Sequence, residues 1–301
     1  MVNSNVAGKT VIVTGAGRGI GRDVALAMAR AGARVVVNDL GVTLTGEAGG
    51  ETPARETAAE ILAAGGQAVT NEDSVAEWEG AQRLVAQAVA AFGGVDVVVN
   101  NAGIIKEIPF QETSPADFDR IVKVHLYGSF YVARAAAARM MAQKSGAFIH
   151  MTSSTGLIGR RGLSAYASAK MGVVGLMRSI ALDMAAYGVR SNCISPAAAT
   201  RMSPRRGSVE KEEAFAARVR GDQVAPLAVF LASDAAAGVN GQIIGVRGNE
   251  LYLYSQPRPV RTLHRAEGWT VEALGAQFLA AWGASLVPLE ETQDVFAWAA
   301  I

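Results

Sequence analysis

From Lys9 onward, short runs of β-branched residues alternate with alanine-rich stretches of helical character. This alternation constrains the fold more than any other feature of the chain. The apolar runs lie at 10–14 (TVIVT), 34–38 (RVVVN), 67–70, 96–99, 147–152, 190–194 and 242–246. Helical patterns fill the intervals at 23–31, 54–64, 76–92, 117–143 and 165–187, with a further one near 224–233. The strand runs are apolar almost throughout rather than alternating, so both of their faces must be covered. Strands that alternate with helices and are buried on both sides predict a doubly wound α/β fold around a parallel sheet. In that architecture ligands bind at the carboxyl ends of the strands, which is where each motif below falls.

Composition narrows the class. Half of the residues are hydrophobic and 18% are charged, which supplies a large core and excludes disorder as the main state. A formal net charge of +1 gives no argument for nucleic acid or an anionic membrane as partner. The single cysteine, Cys193, cannot form an internal disulfide, and three histidines offer no Cys/His metal cluster, so no metal is expected. No apolar run approaches the roughly 18 residues of a membrane span, and the start MVNSNVAGKT lacks a secretory pattern. A cytoplasmic globular protein is expected.

The segment Thr14-Gly15-Ala16-Gly17-Arg18-Gly19-Ile20-Gly21 follows the first strand directly and opens the first helix. Glycines there let the backbone turn tightly and approach a pyrophosphate, while the helix N-terminus offers free N–H groups and a positive dipole. The spacing is T-G-x-x-x-G-x-G rather than G-x-G-x-x-G. Asp39, at the end of the second strand, is placed to accept from both ribose hydroxyls and to repel a 2′-phosphate, which predicts NAD over NADP. Arg18 is the opposing candidate, as a 2′-phosphate ligand, and is weighed below Asp39. Asp73 and Ser74 after the third strand, and Asn100-Asn101-Ala102-Gly103 after the fourth, provide small polar groups that bond adenine and ribose or tie the loops together.

Tyr166 and Lys170 are four residues apart at the start of a helical stretch, which puts both on one face, one turn apart. A tyrosine with an ordinary pKa near ~10 needs help to act as a base near neutrality. A nearby ammonium and a positive nicotinamide ring both favour tyrosinate. Ser153, at the end of the fifth strand, can donate to the same substrate oxygen.

T-G-x-x-x-G-x-G, N-N-A-G, a serine, Y-x-x-x-K and Ser195-Pro196, in this order and spacing, resemble the short-chain dehydrogenase/reductases over roughly residues 7–248. The resemblance implies a seven-stranded parallel sheet, assembly into homodimers or homotetramers, and hydride transfer at a carbinol or carbonyl carbon. Position by position it implies that Ser153 polarises the substrate oxygen, that Tyr166 is the acid/base, and that Lys170 binds the nicotinamide ribose and lowers the tyrosine pKa. It places the 194–196 segment, Ala197 and Thr200 beside the nicotinamide. The cofactor set expected is therefore Gly15, Gly17, Arg18, Gly19, Ile20, Asp39, Asp73, Ser74, Asn101, Ala102, Gly103, Tyr166, Lys170, Pro196, Ala197 and Thr200, with NAD as cofactor.

The chain departs from the family pattern at three places. His125 stands where a helix-borne asparagine normally anchors a proton-relay water, and a histidine can also hold a water or relay a proton itself. The usual Pro-Gly reads Pro196-Ala197, with Thr200 following one residue sooner than is common. The D-G-G near the last strand reads Val246-Arg247-Gly248-Asn249. With the long loop after Asp39, Val124-His125-Leu126-x-Gly128-Ser129-Phe130 and Met151-Thr152-Ser153-Ser154, the chain looks like the dehydrogenase units of peroxisomal multifunctional enzyme type 2. Those units oxidise (3R)-hydroxyacyl-CoA with NAD. A 3-hydroxyacyl-CoA dehydrogenase is thus implied. Hydroxysteroid or small-alcohol oxidation is the same-mechanism alternative, and a non-catalytic dinucleotide-binding regulator the remote one.

The substrate expected is a small molecule, with a CoA thioester foremost. Arg160, Arg161, Arg201, Arg205, Arg206, Arg218 and Arg220 are the guanidinium groups that would grip its phosphates, against a reading as solvated charges balancing Glu210, Glu212 and Glu213. Residues 1–248 are read as the catalytic domain, and 249–301 as a C-terminal extension packed on the core or on a neighbouring subunit. About 50 residues support little core of their own. Cys193 and His150 are read as core residues and His264 as solvated or interfacial. The tail aromatics Trp269, Phe278, Trp282, Phe296 and Trp298 are read first as packing residues and second as a pocket lining.

Overall fold

The computed structural model describes residues 6–43, 45, 52–200, 202 and 209–300, with side chains of 209–212 left aside. Arg201, Arg205 and Arg206, and most of the loop before Pro53, lie outside the described residues.

The strands are β1 Thr10–Thr14, β2 Arg34–Asn38, β3 Gln67–Asn71, β4 Val97–Asn100, β5 Gly146–Met151, β6 Val189–Ala197, β7 Ile243–Arg247 and β8 Glu250–Leu253. They form one sheet in the order β3-β2-β1-β4-β5-β6-β7-β8, parallel throughout except for the last pair. The helices are α1 Gly19–Arg30, α2 Pro53–Ala63, α3 Trp78–Phe92, α4 Pro115–Val122, α5 Gly128–Gln143, α6 Ser154–Leu157, α7 Ser164–Asp183, α8 Val209–Arg218, α9 Ala225–Ala232, α10 Val271–Trp282 and α11 Thr292–Val295.

The period of two along each strand divides the core into two layers. Val11, Val13, Val35, Val37, Val97, Val99 and Ile149 face α1, α2 and α9, meeting Met28, Ile61 and Leu231. Ile12, Val36, Val98 and Phe148 face the other way, against Leu84 of α3 and Val132 and Met140 of α5. Both layers are apolar and buried, as the uniformly apolar runs require. The strand order reverses at β1/β4, where β1 pairs with β2 on one side and β4 on the other. Crossovers there diverge, and the carboxyl ends of β1 and β4 open a crevice between them.

Two features differ from the sequence expectation. The sheet has eight strands, since β8 adds an antiparallel edge to the seven parallel ones. Arg247 pairs with Glu250 across a two-residue connection led by Gly248 at φ +60°. The Val-Arg-Gly-Asn departure is a hairpin turn, which needs a glycine with positive φ. The expected boundary at 248/249 falls in that turn. The long helical pattern at 117–143 is also broken: α4 and α5 are joined by a π-helical turn at Lys123–Tyr127 that carries His125. An extra residue in the helical ladder turns a side chain inward, and here the inward one is His125, 1% exposed.

Among the described residues no helix is long and apolar enough to cross a membrane, and no cluster of His, Cys, Asp and Glu could hold a metal ion.

Candidate active site

The β1–α1 loop is shaped by backbone geometry. Gly15 and Gly19 sit at φ +62° and +53°, in the left-handed region that costs other residues. A Cβ on Gly19 would point to within 3.5 Å of Thr200 Cγ2, filling the gap between the loop and the end of β6. Asp39 closes the other side. Its Oδ2 accepts from the Gly17 amide (3.0 Å) and its Oδ1 from Gly41 (2.8 Å), so the carboxylate is fixed at the loop's edge. Arg18 precedes α1 as its N-cap, half-buried, and Ile20 lies one residue into the helix.

β4 is clasped to this loop. Thr14 Oγ1 accepts from the amides of Asn101 (3.0 Å) and Ala102 (3.1 Å), and Asn101 Nδ2 donates to the carbonyls of Thr14 (2.9 Å) and Gly15 (3.0 Å). Asn101 therefore acts on the glycine loop through its backbone. Gly103 leaves room for the buried histidine: a Cβ there would lie 2.4 Å from His125 Cε1. Asp73 is engaged by Arg83 (2.7 Å) and by the Asn71 amide (2.8 Å), while Ser74 Oγ accepts from Ala76 N (3.3 Å). These two residues sit at the end of β3 as a hydrogen-bonded turn.

On the other side of the crevice, Ser153 follows β5 and caps α6, its Oγ accepting from Thr155 N at 3.1 Å. Tyr166 is half-buried on the first turn of α7, with its hydroxyl hydrogen-bonded to Ser153. Burial raises the phenol's pKa, and the Ser153 bond opposes that rise. Lys170 lies one turn on, buried, its Nζ donating to the Met151 carbonyl (2.6 Å) and lying 5.6 Å from the centre of the Tyr166 ring. Burial pulls its ammonium down to about 8. Thr152 holds this turn against the strand by donating to the Lys170 carbonyl (2.8 Å).

His125 packs edge-on against Tyr166, with ring centres 5.1 Å apart at 88°. Its Nε2 meets both backbone groups of Ile104, 2.7 Å from the carbonyl oxygen and 3.2 Å from the amide nitrogen. Nδ1 is buried without a partner among the described residues. Burial first, and the Lys170 charge second, push His125 well below the usual imidazole range, against the Ile104 bond. It is a neutral side chain beside the Tyr166 ring.

A cleft of ≈ 960 Å³ brings Ile20, Ser153, Tyr166, Pro196, Ala197 and Thr200 together. The loop glycines, Asp39, Asp73, Ser74 and Asn101 stand apart from it along the ends of β1–β4, an arrangement that suits an elongated dinucleotide with one end in the cleft. Arg160 and Arg218 also line the cleft. Arg161 reaches Glu291 (3.1 Å), and Arg220 is bound to Asp222 (3.0 Å).

Sequence reasoning missed Arg247, Tyr252, Tyr254 and Gln293 in the lining, and ranked a pocket role for Phe296 and Trp298 second to packing. Arg247 and the β8 tyrosine Tyr252 face the same cavity, as do Tyr254 and, from the tail, Gln293, Phe296 and Trp298. The R-G-N-E hairpin was the available signal for Tyr252. In residues 291–300 the aromatic character of Phe296 and Trp298 was the available signal.

A family model described as short chain dehydrogenase matches residues 9–212, and the chain belongs to this family of oxidoreductases that act on alcohol groups with a nicotinamide dinucleotide. It is 40% identical over 243 residues to a short-chain type dehydrogenase/reductase of Mycobacterium tuberculosis, covering 81% of this chain and 83% of that protein. A hydroxyacyl-CoA dehydrogenase of the same organism is 38% identical over 268 residues, 86% of this chain and 83% of that one. Peroxisomal multifunctional enzyme type 2 of Mus musculus is 42% identical over 224 residues, which are 74% of this chain and 30% of that enzyme's length. Among solved structures, a short chain dehydrogenase from Mycobacterium avium matches with a TM-score of 0.84 at 37% identity, covering 95% of this chain and 98% of that one. A 7α-hydroxysteroid dehydrogenase in complex with NADH and 7-oxo glycochenodeoxycholic acid matches with a TM-score of 0.73 at 31% identity, over 82% and 96% of the two chains.

Proposed function

We propose that this protein is an NAD-dependent dehydrogenase of secondary alcohols and that its substrate is a 3-hydroxyacyl-CoA. The observation that carries the reaction is the stack of Ser153 and Tyr166 hydroxyls at the cleft surface above buried Lys170. The glycine loop, with its positive-φ turns at the start of α1 and a Gly19 where a Cβ would project toward Thr200, fits a pyrophosphate. Asp39 favours NAD, because its carboxylate would meet a 2′-phosphate as a like charge.

Bound NAD supplies the hydride acceptor and a positive ring beside the phenol. Ser153 Oγ donates to the carbinol oxygen and holds it against Tyr166. Tyr166 Oη takes the carbinol proton in oxidation and returns it in reduction. The Lys170 ammonium, mostly protonated at neutral pH with a pKa of about 8, favours the tyrosinate and is placed to hold the nicotinamide ribose. His125 stands at the asparagine position with its buried Nδ1 unpartnered among the described residues, and it is the side chain that would hold a water leading the proton away from Lys170. It does so as a neutral imidazole, and not by taking up the proton itself.

The CoA assignment is supported by the hydroxyacyl-CoA dehydrogenase relative and by Arg160 and Arg218 at the cleft, where guanidinium groups suit phosphate. The test compares kcat/KM for a 3-hydroxyacyl-CoA with that for the corresponding N-acetylcysteamine thioester at low and high salt. A large advantage for the CoA form that salt erodes is expected. Equal rates would remove the CoA assignment. Better turnover of a free steroid alcohol would favour the hydroxysteroid alternative, to which the apolar lining of the cleft is also suited.

A further inference from the structure

We propose that residues 291–300 are the specificity wall of the cleft, in which Phe296 and Trp298, mounted on Arg247, hold the large apolar body of the substrate's acyl group. The inference rests on the reading of the cleft as a dehydrogenase site and deepens it by naming what the far side of that site binds.

The tail reaches the cleft by a long detour. After β8 the chain leaves the sheet edge, and α10 has no buried residue. It returns at Glu291 and is fastened at two lips of the cavity. At the first, both the amide and the hydroxyl of Thr292 donate to the Gly159 carbonyl, at 3.0 and 3.1 Å, on the loop that follows Ser153. At the second, Trp298 is held by the β7–β8 hairpin: its indole Nε1 donates to Glu250 (2.8 Å), and its carbonyl accepts from Arg247. Between the two fastenings Gln293, Phe296 and Ala297 line the same cavity as Ser153 and Tyr166. The segment is a strap across the cleft.

Its aromatic groups are organised and still open. Phe296 stacks at a tilt on Tyr252 (5.2 Å) and on Trp298 (5.5 Å). The Arg247 guanidinium lies 5.9 Å from the Phe296 ring centre and 5.5 Å from that of Trp298, and it pairs with Glu250 at 3.5 Å. A cation beneath aromatic faces fixes the rings in place. Yet Trp298 remains 46% exposed. A tryptophan whose polar edge is fully bonded and whose face is open to a cavity has apolar area to offer a ligand. Ile105, Leu163, Val246 and Phe215 add further apolar lining. The cleft of ≈ 960 Å³ holds this wall and the residues expected beside the nicotinamide in one continuous cavity.

The experiment measures the ratio of kcat/KM for long to short substrates, using a chain-length series of 3-hydroxyacyl-CoA esters and, in parallel, a series of plain 2-alkanols. The proteins are wild type, Trp298→Ala, Trp298→Phe and a truncation after Glu290, each checked for fold by its NADH dissociation constant. We expect the long-to-short ratio to fall at least tenfold in Trp298→Ala and in the truncation, with most of it retained in Trp298→Phe. A ratio within threefold of wild type in Trp298→Ala, with NADH binding intact, overturns the proposal even if the truncated chain fails to fold. If wild type prefers long alkanols in a Trp298-dependent way but turns over no thioester, the wall stands and the CoA reading falls.

Discussion

Burial pushes the Tyr166 phenol and the Lys170 ammonium toward their neutral forms, so neither is poised for chemistry alone. Each charge is favoured by the other, which is the reason the pair must share one helix face. Tyr166→Phe keeps the ring that packs on His125 and removes the proton carrier. We expect kcat to fall by about 10³-fold or more while the NADH dissociation constant, read by fluorescence, stays within twofold. Substantial residual turnover would refute the assignment. Asp39 makes a separable prediction, because its oxygens accept from the loop amides of Gly17 and Gly41. Asp39→Ser should lower the NADP-to-NAD discrimination in kcat/KM at least tenfold, about 1.4 kcal/mol. A wild type that uses NADP as well as NAD would show that the carboxylate does not face the ribose.

Among elements, the join of β1 to β4 matters most, because the switch point opens there. Thr14 Oγ1 serves two backbone amides of the N-N-A-G turn and donates to the Val99 carbonyl (3.4 Å). Thr14→Val preserves shape but leaves both amides without that acceptor. At about 1–3 kcal/mol for an unsatisfied buried donor, the urea midpoint should drop clearly, and NADH binding should weaken because the glycine loop loses its brace. An unchanged midpoint would mean that water replaces the hydroxyl. The π-turn at Lys123–Tyr127 belongs to this scale too. The stretch 117–143 has the composition of one helix, and no residue in it marks the extra turn. Only the packing of His125 between Gly103 and Tyr166 gives the turn its purpose.

For the whole molecule, two buried neutral histidines tie stability to pH. His150 is held down to about 3 by burial and then by the Lys170 charge, and His125 is lowered by the same two causes. In the unfolded chain both return to about 6.5. Below that pH the unfolded state binds more protons, so this contribution is complete above pH 6.5 and is lost as pH falls toward 3. At pH 4.5 His150 alone should cost about 2–3 kcal/mol. Chemical denaturation at pH 7.5 and 4.5 measures the loss, and His150→Gln, which keeps an acceptor for Asn100, should shrink it. A difference that is the same in both proteins would assign the acid sensitivity to other groups.

The sequence by itself determined the layered sheet, because unbroken Val/Ile runs have no stable place except between two helical layers. It also brought Tyr166 and Lys170 onto one face, since one helical turn separates them, and it marked the glycine loop, because positive-φ turns select glycine. Those are local or periodic constraints, and local residues carry them. The tertiary structure alone decided that Arg161 is paired with Glu291 and that β8 extends the sheet. It also decided that Phe296 and Trp298, far from Ser153 in sequence, line the same cavity as Ser153 does. Such contacts depend on where a chain returns after a long excursion. No periodicity encodes that return, because it is set by the whole fold presenting Gly159 and Glu250 as the places where the tail can bond.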